Sequence, residues 1–117
     1  MALPQALGLR AEALAAAYLR LLGCDVTSSR VRLAGVEIDL LAREGATRVL
    51  VEVKIRSRTD YGTAAEAVGF EKSERLRRAA RALVQKEPGP VRIDVVALDL
   101  DGSELRLRWI RNAVHDH

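Results

Sequence analysis

Cysteine and aromatic residues are scarce in this sequence, and it has no long apolar run. The single cysteine, Cys24, excludes an internal disulfide bond and fits a reducing compartment. Aromatic residues make up only 3% of the chain, so a core has to be built from Leu, Val, Ile and Ala. No stretch approaches the roughly 18 apolar residues of a membrane-spanning helix, and the N-terminus lacks a secretion signal. We therefore expect a soluble, cytoplasmic protein with no membrane partner.

The sequence does contain enough apolar residues for a folded domain. Hydrophobic residues make up 49% of the sequence, so the chain is expected to fold. Its length of 117 residues suffices for one core and is short for two, so residues 1–117 are predicted to form a single domain. The net charge is +3, and only three of the 19 basic residues are lysines. Arginine suits bidentate contact with phosphate, but GC-rich coding also raises arginine content. Both explanations stay open.

Two runs of alternating polar and apolar residues, 35–42 and 49–54, lie at the centre of the chain. Such alternation predicts half-buried strands, and the short connection around Gly45 predicts a hairpin. With this glycine and the residue after it at the loop tip, Asp39 falls opposite Glu52. Directly opposed side chains have Cβ atoms about 4.5–5.5 Å apart. A slip of one residue would turn Asp39 toward the apolar face, so the pattern itself favours this register.

The predicted register indicates a divalent-metal site, because two facing carboxylates repel each other unless a cation or a proton lies between them. Asp39 and Glu52 supply the hard oxygen ligands that Mg²⁺ and Mn²⁺ prefer, with positions left for water and a phosphate. Lys54 projects from the same strand face as Glu52, where it could orient a water or neutralise a phosphate. Glu37, opposite Lys54, is a supporting acid. A cross-strand salt bridge of Lys54 with either glutamate is the alternative.

This spacing of acids and lysine resembles the PD-(D/E)xK nuclease superfamily and, more closely, the small bacterial YraN family (UPF0102). That family has the motifs A-E-x-x-A, G-E-I-D-L-I-A and F-V-E-V-K-x-R, then a lysine-bearing helix, a D-V strand and a W-x-x-N-A-F-like end. The matching segments are Ala11–Ala15, Glu37–Ala42, Leu50–Arg56, Lys72, Asp94–Val95 and Trp109–Ala113. Val36 and Leu50 depart from the usual Gly and Phe, and neither is a candidate ligand.

The resemblance implies a restriction-endonuclease-like α/β fold. We expect a three-layer core with a mixed five-stranded sheet flanked by helices, in the order α-β-β-β-α-β-β. The implied function is hydrolysis of phosphodiester bonds in DNA by a metal-dependent endonuclease, with a branched, Holliday-junction-like substrate as one form. A homodimer would let so small an enzyme cut both strands of a duplex. A non-catalytic nucleic-acid-binding module and an adaptor in DNA processing are the alternatives.

The first predicted helix covers residues 5–22 and carries the acid that the resemblance places beside the metal site. Large apolar side chains at helical spacing predict its buried face. These side chains are Leu7, Leu14, Tyr18, Leu21 and Leu22. Glu12 lies off this stripe among small residues, which would allow close approach to the sheet. It is therefore a further catalytic candidate, and an ordinary exposed glutamate is the alternative.

The second predicted helix, residues 70–86, combines an apolar face with a basic surface. The apolar face is formed by Leu76, Ala79, Ala80 and Leu83. Lys72 and Arg75 are candidates for phosphate contact, which would make affinity for nucleic acid depend on salt. The alternative is a solvated face stabilised by ion pairs between residues four apart.

Three more strands complete the predicted sheet. Residues 24–32 form the first, with Val26 inward and Cys24 as a small core residue. Residues 91–100 read as a strand buried on both faces, and the helix before it predicts parallel pairing with the strand that carries Glu52. Residues 104–110 alternate as an edge strand.

The remaining candidates follow Lys54 or lie near the C-terminus. Arg56 and Arg58 could hold phosphates, and Tyr61 could stack on a base, with a solvated loop as the alternative. Residues 64–68 predict a short helical turn, in which Glu66 is a weak further acid. Asp94 is interpreted as structural, and residues 115–117 as a frayed end rather than a metal ligand.

Overall fold

Two helices and five strands follow one another in the predicted order. The computed structural model describes residues 5–57 and 68–115. The elements are α1 (Gln5–Leu21), β1 (Asp25–Leu33), β2 (Val36–Glu44), β3 (Thr47–Ser57), α2 (Phe70–Lys86), β4 (Val91–Asp101) and β5 (Glu104–Ile110). Of the predicted turn at 64–68, only residue 68 is among the described residues. Arg58, Tyr61 and Glu66 lie outside them. Neither described helix combines the length and apolarity needed to cross a membrane.

The five strands form one mixed sheet in the order β1-β2-β3-β4-β5. The β3–β4 pair is parallel, and the other three pairs are antiparallel. The parallel pair arises because α2 carries the chain back to the starting edge of the sheet, as a crossover connection must. Residues 93–98 of β4 are all buried, which confirms the prediction of a strand covered on both faces.

The two helices cover opposite faces of the sheet. Val49 and Val51 of β3 belong to the core cluster that includes α1, whereas Leu50 belongs to the cluster that includes α2. Because successive strand residues point to opposite faces, α1 and α2 lie on different sides. The expected three-layer architecture is therefore confirmed, and Glu52, in step with Leu50, points to the α2 side.

The predicted buried face of α1 is wrong. Leu14, Leu21 and Leu22 are 40%, 83% and 50% exposed, whereas Ala15 and Leu19 are completely buried. The strands beneath α1 already present valines and leucines, so the helix approaches them closely through alanines rather than adding a second layer of large side chains. Only Tyr18 of the predicted stripe packs against this cluster, as a partly buried residue. The apolar face of α2 is confirmed at Leu76, Ala79, Ala80 and Leu83.

Truncating Leu19 and Leu21 separately tests the corrected face of α1. We expect Leu19→Ala to lower the free energy of unfolding by about 2–5 kcal/mol, because it empties a closed core position. Leu21→Ala removes an exposed side chain, and we expect a change below about 0.5 kcal/mol. Urea denaturation of the two variants measures both values. A larger loss at Leu21 would contradict the observed packing.

Asp94 and Cys24 have structural environments, as predicted. The fully buried Asp94 carboxylate accepts hydrogen bonds from Arg92, from the Trp109 indole N–H at 2.8 Å and from the Asn112 backbone N–H at 2.8 Å. These bonds tie the end of β5 and the following turn to β4. Cys24 is buried in the α1-side core, and burial raises the pKa of its thiol, which keeps the less reactive thiol form.

Candidate active site

Asp39 and Glu52 lie where the central hairpin forks. The predicted register is confirmed over five pairs, but the ladder ends with Leu40 opposite Val51, one pair short of the two acids. Asp39 instead uses its side chain, since its Oδ2 accepts the backbone N–H of Val53 at 2.8 Å. Just beyond the end of the ladder, a side-chain carboxylate of β2 thus accepts the β3 backbone N–H in place of a backbone carbonyl.

The fork separates two residues that the sequence placed opposite each other. Glu37 pairs with Arg32 of β1, not with Lys54, and its side chain is exposed. The predicted facing of Glu37 and Lys54 is therefore wrong. The physical reason is that β2 beyond the fork keeps only its β1 partner, while β3 continues along β4.

Asp39 also marks a change of face in β2. Ile38 packs in the core cluster on the α2 side, whereas Leu40 packs in the cluster on the α1 side. Residues two apart on a regular strand share a face, so the strand rotates between them. This rotation lets the Asp39 side chain point along the sheet, toward β3, instead of into either layer.

Glu52 is a buried carboxylate whose two oxygens have different surroundings. Its side chain is 4% exposed. Oε2 lies 3.5 Å from the Lys72 ammonium and 3.9 Å from that of Lys54. In the described part of the chain, Oε1 is buried and has no hydrogen-bond partner. One oxygen is thus neutralised by lysines, and the other is left for a cation or a proton.

The pKa of Glu52 is raised to about 8. Burial is the largest cause, followed by the nearby Asp39 carboxylate, while Lys72 and Lys54 act in the opposite direction. Two ionised carboxylates repel each other and can only accept hydrogen bonds, so a proton or a cation between them is favoured. The two acids therefore form a coupled pair that favours a bound positive charge.

Lysines from two different elements complete the cluster. Lys54 lies two residues past Glu52 on β3, as predicted, and shares its face. Lys72 comes from the first turn of α2, and sequence spacing alone left its orientation open. The structure brings both ammonium groups to the same carboxylate oxygen. The side chains of Asp39, Glu52, Lys54 and Lys72 thus converge from β2, β3 and α2.

Glu12 lies near this cluster, and its carboxylate is bound by Arg30 of β1. Arg30 Nε lies 3.1 Å from Glu12 Oε1, and its Nη2 lies 3.4 Å from Oε2. Burial and the negative charge of Asp39 raise the pKa of Glu12, against the effect of Arg30. Glu12 therefore influences Asp39 through charge, while both its oxygens accept hydrogen bonds from Arg30. No sequence signal indicated Arg30, because its contact with Glu12 depends on how α1 packs against β1.

The predicted phosphate-binding residues occupy different positions. Arg56 lies two residues beyond Lys54 on β3. Its side chain is half-buried and interacts with other groups of the protein. Arg75 is exposed on α2, and its Nε donates to the Glu71 carbonyl at 3.5 Å. Among the described residues predicted to bind phosphate, only Lys72 contacts the acidic pair.

The donors of the cluster fit a hard divalent cation. Residues 5–57 and 68–115 contain no group of three or more Asp, Glu, His or Cys side chains placed to hold a metal. Mg²⁺, however, commonly binds through one or two carboxylates together with waters and substrate phosphates. The unpartnered Oε1 of Glu52 is the atom that a cation would satisfy, and the Asp39 carboxylate beside it supplies the second oxygen donor.

Comparison with known proteins finds similarity over most of the chain. The sequence model of "Uncharacterised protein family UPF0102" matches residues 11–98. The UPF0102 protein of Solibacter usitatus is 43% identical over 115 residues, covering 94% of this chain and 86% of the relative. That of Symbiobacterium thermophilum is 43% identical over 109 residues, covering 89% and 92%. That of Nocardia farcinica is 42% identical over 97 residues, covering 80% and 76%.

Proposed function

This chain belongs to the UPF0102 family, and we propose that it is an endonuclease that hydrolyses phosphodiester bonds in DNA with Mg²⁺ or Mn²⁺. The observation that carries the proposal is the environment of Glu52. A buried carboxylate beside another acid, with one oxygen unpartnered, is unfavourable for folding alone. Perturbed acids of this kind cluster at functional sites, where the repulsion between them serves to bind a cation.

Asp39 and Glu52 would hold the metal ion, which when bound polarises a phosphate oxygen and acidifies a water molecule. The protein contributes position. The hydrogen bond from the Val53 N–H fixes the Asp39 carboxylate, and the two ammonium groups on Oε2 fix that of Glu52. A rigid pair of ligands lowers the cost of ordering them when substrate arrives.

In this proposal, Lys54 and Lys72 would meet the phosphate. Each ammonium has three N–H donors. The ammonium-to-Oε2 distances of 3.9 and 3.5 Å are ion-pair distances, longer than ordinary hydrogen bonds, so donors remain for a ligand. One lysine can orient the attacking water while the other neutralises charge that develops on the phosphate oxygens.

The surroundings of the cluster favour a nucleic-acid substrate. Exposed arginines continue along α2 beyond Lys72, at Arg75, Arg78 and Arg81. Exposed basic side chains on α2 can neutralise phosphates of a nucleic-acid backbone without reading its sequence. A branched DNA, and a symmetric pair of chains acting on two strands, are part of the proposal.

A panel of DNA structures tests the proposed activity. Linear, nicked, flapped and four-way DNA are incubated with Mg²⁺, with Mn²⁺ and with EDTA, and the products are separated on denaturing gels. We expect cleavage of at least one structure with metal and none in EDTA. Glu104→Gln is a control for the loss of a carboxylate outside the proposed site. It removes an exposed carboxylate on β5 and should cut at the wild-type rate.

Two outcomes would contradict the nuclease. Salt-sensitive DNA binding without cleavage under any metal condition would favour a binding module that keeps the scaffold. A protein that neither binds nor cuts any member of the panel would favour an adaptor.

A further inference from the structure

A cleft lies between α1 and the outer edge of β1, on the face of the sheet opposite Glu52. Its volume is about 450 Å³, within the roughly 300–1,000 Å³ typical of small-ligand sites. Alanine, valine and leucine side chains form much of its lining. The polar residues of the lining include Arg20, Arg30, Glu12 and Ser29, which is paired with Leu40 and so shares its α1-side face. The ionised groups of the cleft thus carry one net positive charge.

The cleft adjoins the candidate metal site through Arg30. Pairing of β1 with β2 continues on both sides of Arg30 but skips it, and the residue that it would face in this register is Asp39. Glu12, which also lines the cleft, is close enough to Asp39 for the two charges to interact. A ligand in the cleft would therefore lie near Asp39, which separates it from Glu52 on the other face of the sheet.

The backbone of β1 is distorted at this point. Arg30 has a φ of 52°, a left-handed conformation that is uncommon for arginine, and the register of β1 shifts between Val26 and Ser28. Distortions of this kind re-aim side chains and are frequent next to functional sites. The guanidinium has five N–H donors, and the contacts with Glu12 engage two of them.

We propose that this cleft binds one unpaired nucleotide of the DNA substrate, next to the phosphate that is cut, and that Arg30 holds the phosphate of that nucleotide. The inference rests on the proposed function, whose substrate it specifies. The apolar lining suits a sugar or the face of a base, and the Ser29 hydroxyl suits a base edge or a phosphate oxygen. The cleft has the volume for a single nucleotide and not for a duplex. It therefore gives a physical reason for preference toward branched or flapped DNA.

Arg30→Asn is the variant that tests the site, because Asn adopts the left-handed conformation readily and removes the guanidinium. Binding of a flapped DNA and of the matching full duplex is measured by fluorescence anisotropy in EDTA. We expect about tenfold weaker binding of the flapped DNA, a salt slope lower by about one, and little change for the duplex. Arg32→Asn makes the same charge change two residues along β1, outside the cleft lining, and should alter binding less than about twofold.

A second comparison separates phosphate binding from neutralisation of Glu12. If Arg30 only neutralised this acid, adding Glu12→Gln to Arg30→Asn would restore binding to the level of Glu12→Gln alone. We expect the double variant to stay weak. Restoration, or equal effects of Arg30→Asn and Arg32→Asn, would overturn the inference.

The minimal ligand is tested with thymidine 3′,5′-bisphosphate and with inorganic phosphate as competitors of the flapped DNA. We expect the bisphosphate to compete at a concentration at least tenfold lower, because it also fills the apolar part of the cleft. Equal competition would overturn the nucleotide assignment. Since these measurements exclude metal, a protein that binds as expected but never cuts would overturn the proposed nuclease and leave this site intact. Failure of the wild-type chain to bind any DNA would overturn both.

Discussion

Asp39→Asn is expected to lower the rate of metal-dependent DNA cleavage by at least about 10³-fold, equivalent to about 4 kcal/mol of transition-state stabilisation. The substitution removes the negative charge from one of two proposed metal ligands, and metal catalysis of phosphate chemistry depends on that ion. The introduced amide oxygen can still accept the hydrogen bond from the Val53 N–H. The fold should therefore remain, and the loss should be one of chemistry. Single-turnover cleavage at saturating DNA, with circular dichroism on the same sample, measures both.

Two further variants show that the loss is specific to the position. Asp25→Asn removes an exposed carboxylate at the start of β1 and should cut at the wild-type rate. Asp39→Ala removes the acceptor as well as the charge, and we expect it to lower the free energy of unfolding by about 1–3 kcal/mol, because the Val53 N–H loses its partner. An Asp39→Asn protein that keeps more than a tenth of wild-type activity would rule out Asp39 as an essential ligand.

The hairpin and its acidic pair could be predicted because the information is local. The polar residues alternate with apolar ones around Asp39 and Glu52, and the short connection around Gly45 favours one register, which the structure confirms as far as Leu40 and Val51. The end of that ladder could not be predicted, because it depends on β2 turning between its two neighbours. This is also why Glu37 was assigned to Lys54 and lies instead beside β1.

The surroundings of the pair depend on contacts between distant segments. The spacing of leucines in α1 pointed to the wrong face, because a helix on a sheet of branched side chains packs through alanines such as Ala15. Once α1 is turned that way, Glu12 meets Arg30. No pattern within β1 marks this arginine. Lys72 was a candidate from its place in the sequence, but only the packing of α2 places it on Glu52.

Raising the pH from about 5 to 8 without divalent metal is expected to destabilise the folded protein through Glu52. Its pKa is 4.5 as an ordinary glutamate and about 8 in the folded state, so between these values the folded chain holds a proton that the unfolded chain has lost. Stability then falls as pH rises, by up to about 1.4 kcal/mol per pH unit, and the contribution is complete below the lower pKa and gone above the higher one. The total is on the order of 3–5 kcal/mol.

Glu52→Gln isolates this contribution, because the introduced amide is neutral at every pH and can donate to Asp39. Urea denaturation of both proteins in EDTA should give similar stabilities near pH 5, and the variant should be more stable by a few kcal/mol at pH 8.5. Taking the difference between the two proteins removes the effect of other titrating groups, including Glu12, whose pKa is also raised. A difference that does not change with pH would show that Glu52 is ionised throughout this range.

Adding Mn²⁺ at pH 8 should close much of the stability gap between the two proteins. A cation that binds only the folded state stabilises it by about 2.7 kcal/mol at a concentration 100 times its dissociation constant. The wild-type chain should gain this stability and release a proton as Glu52 ionises, whereas Glu52→Gln should gain little. Metal affinity should accordingly weaken up to about tenfold per pH unit below pH 8, because the proton and the metal compete for the same carboxylate. Equal stabilisation of both proteins by Mn²⁺ would place the metal elsewhere. The cost of burying Glu52 in the metal-free protein would then have no connection with metal binding.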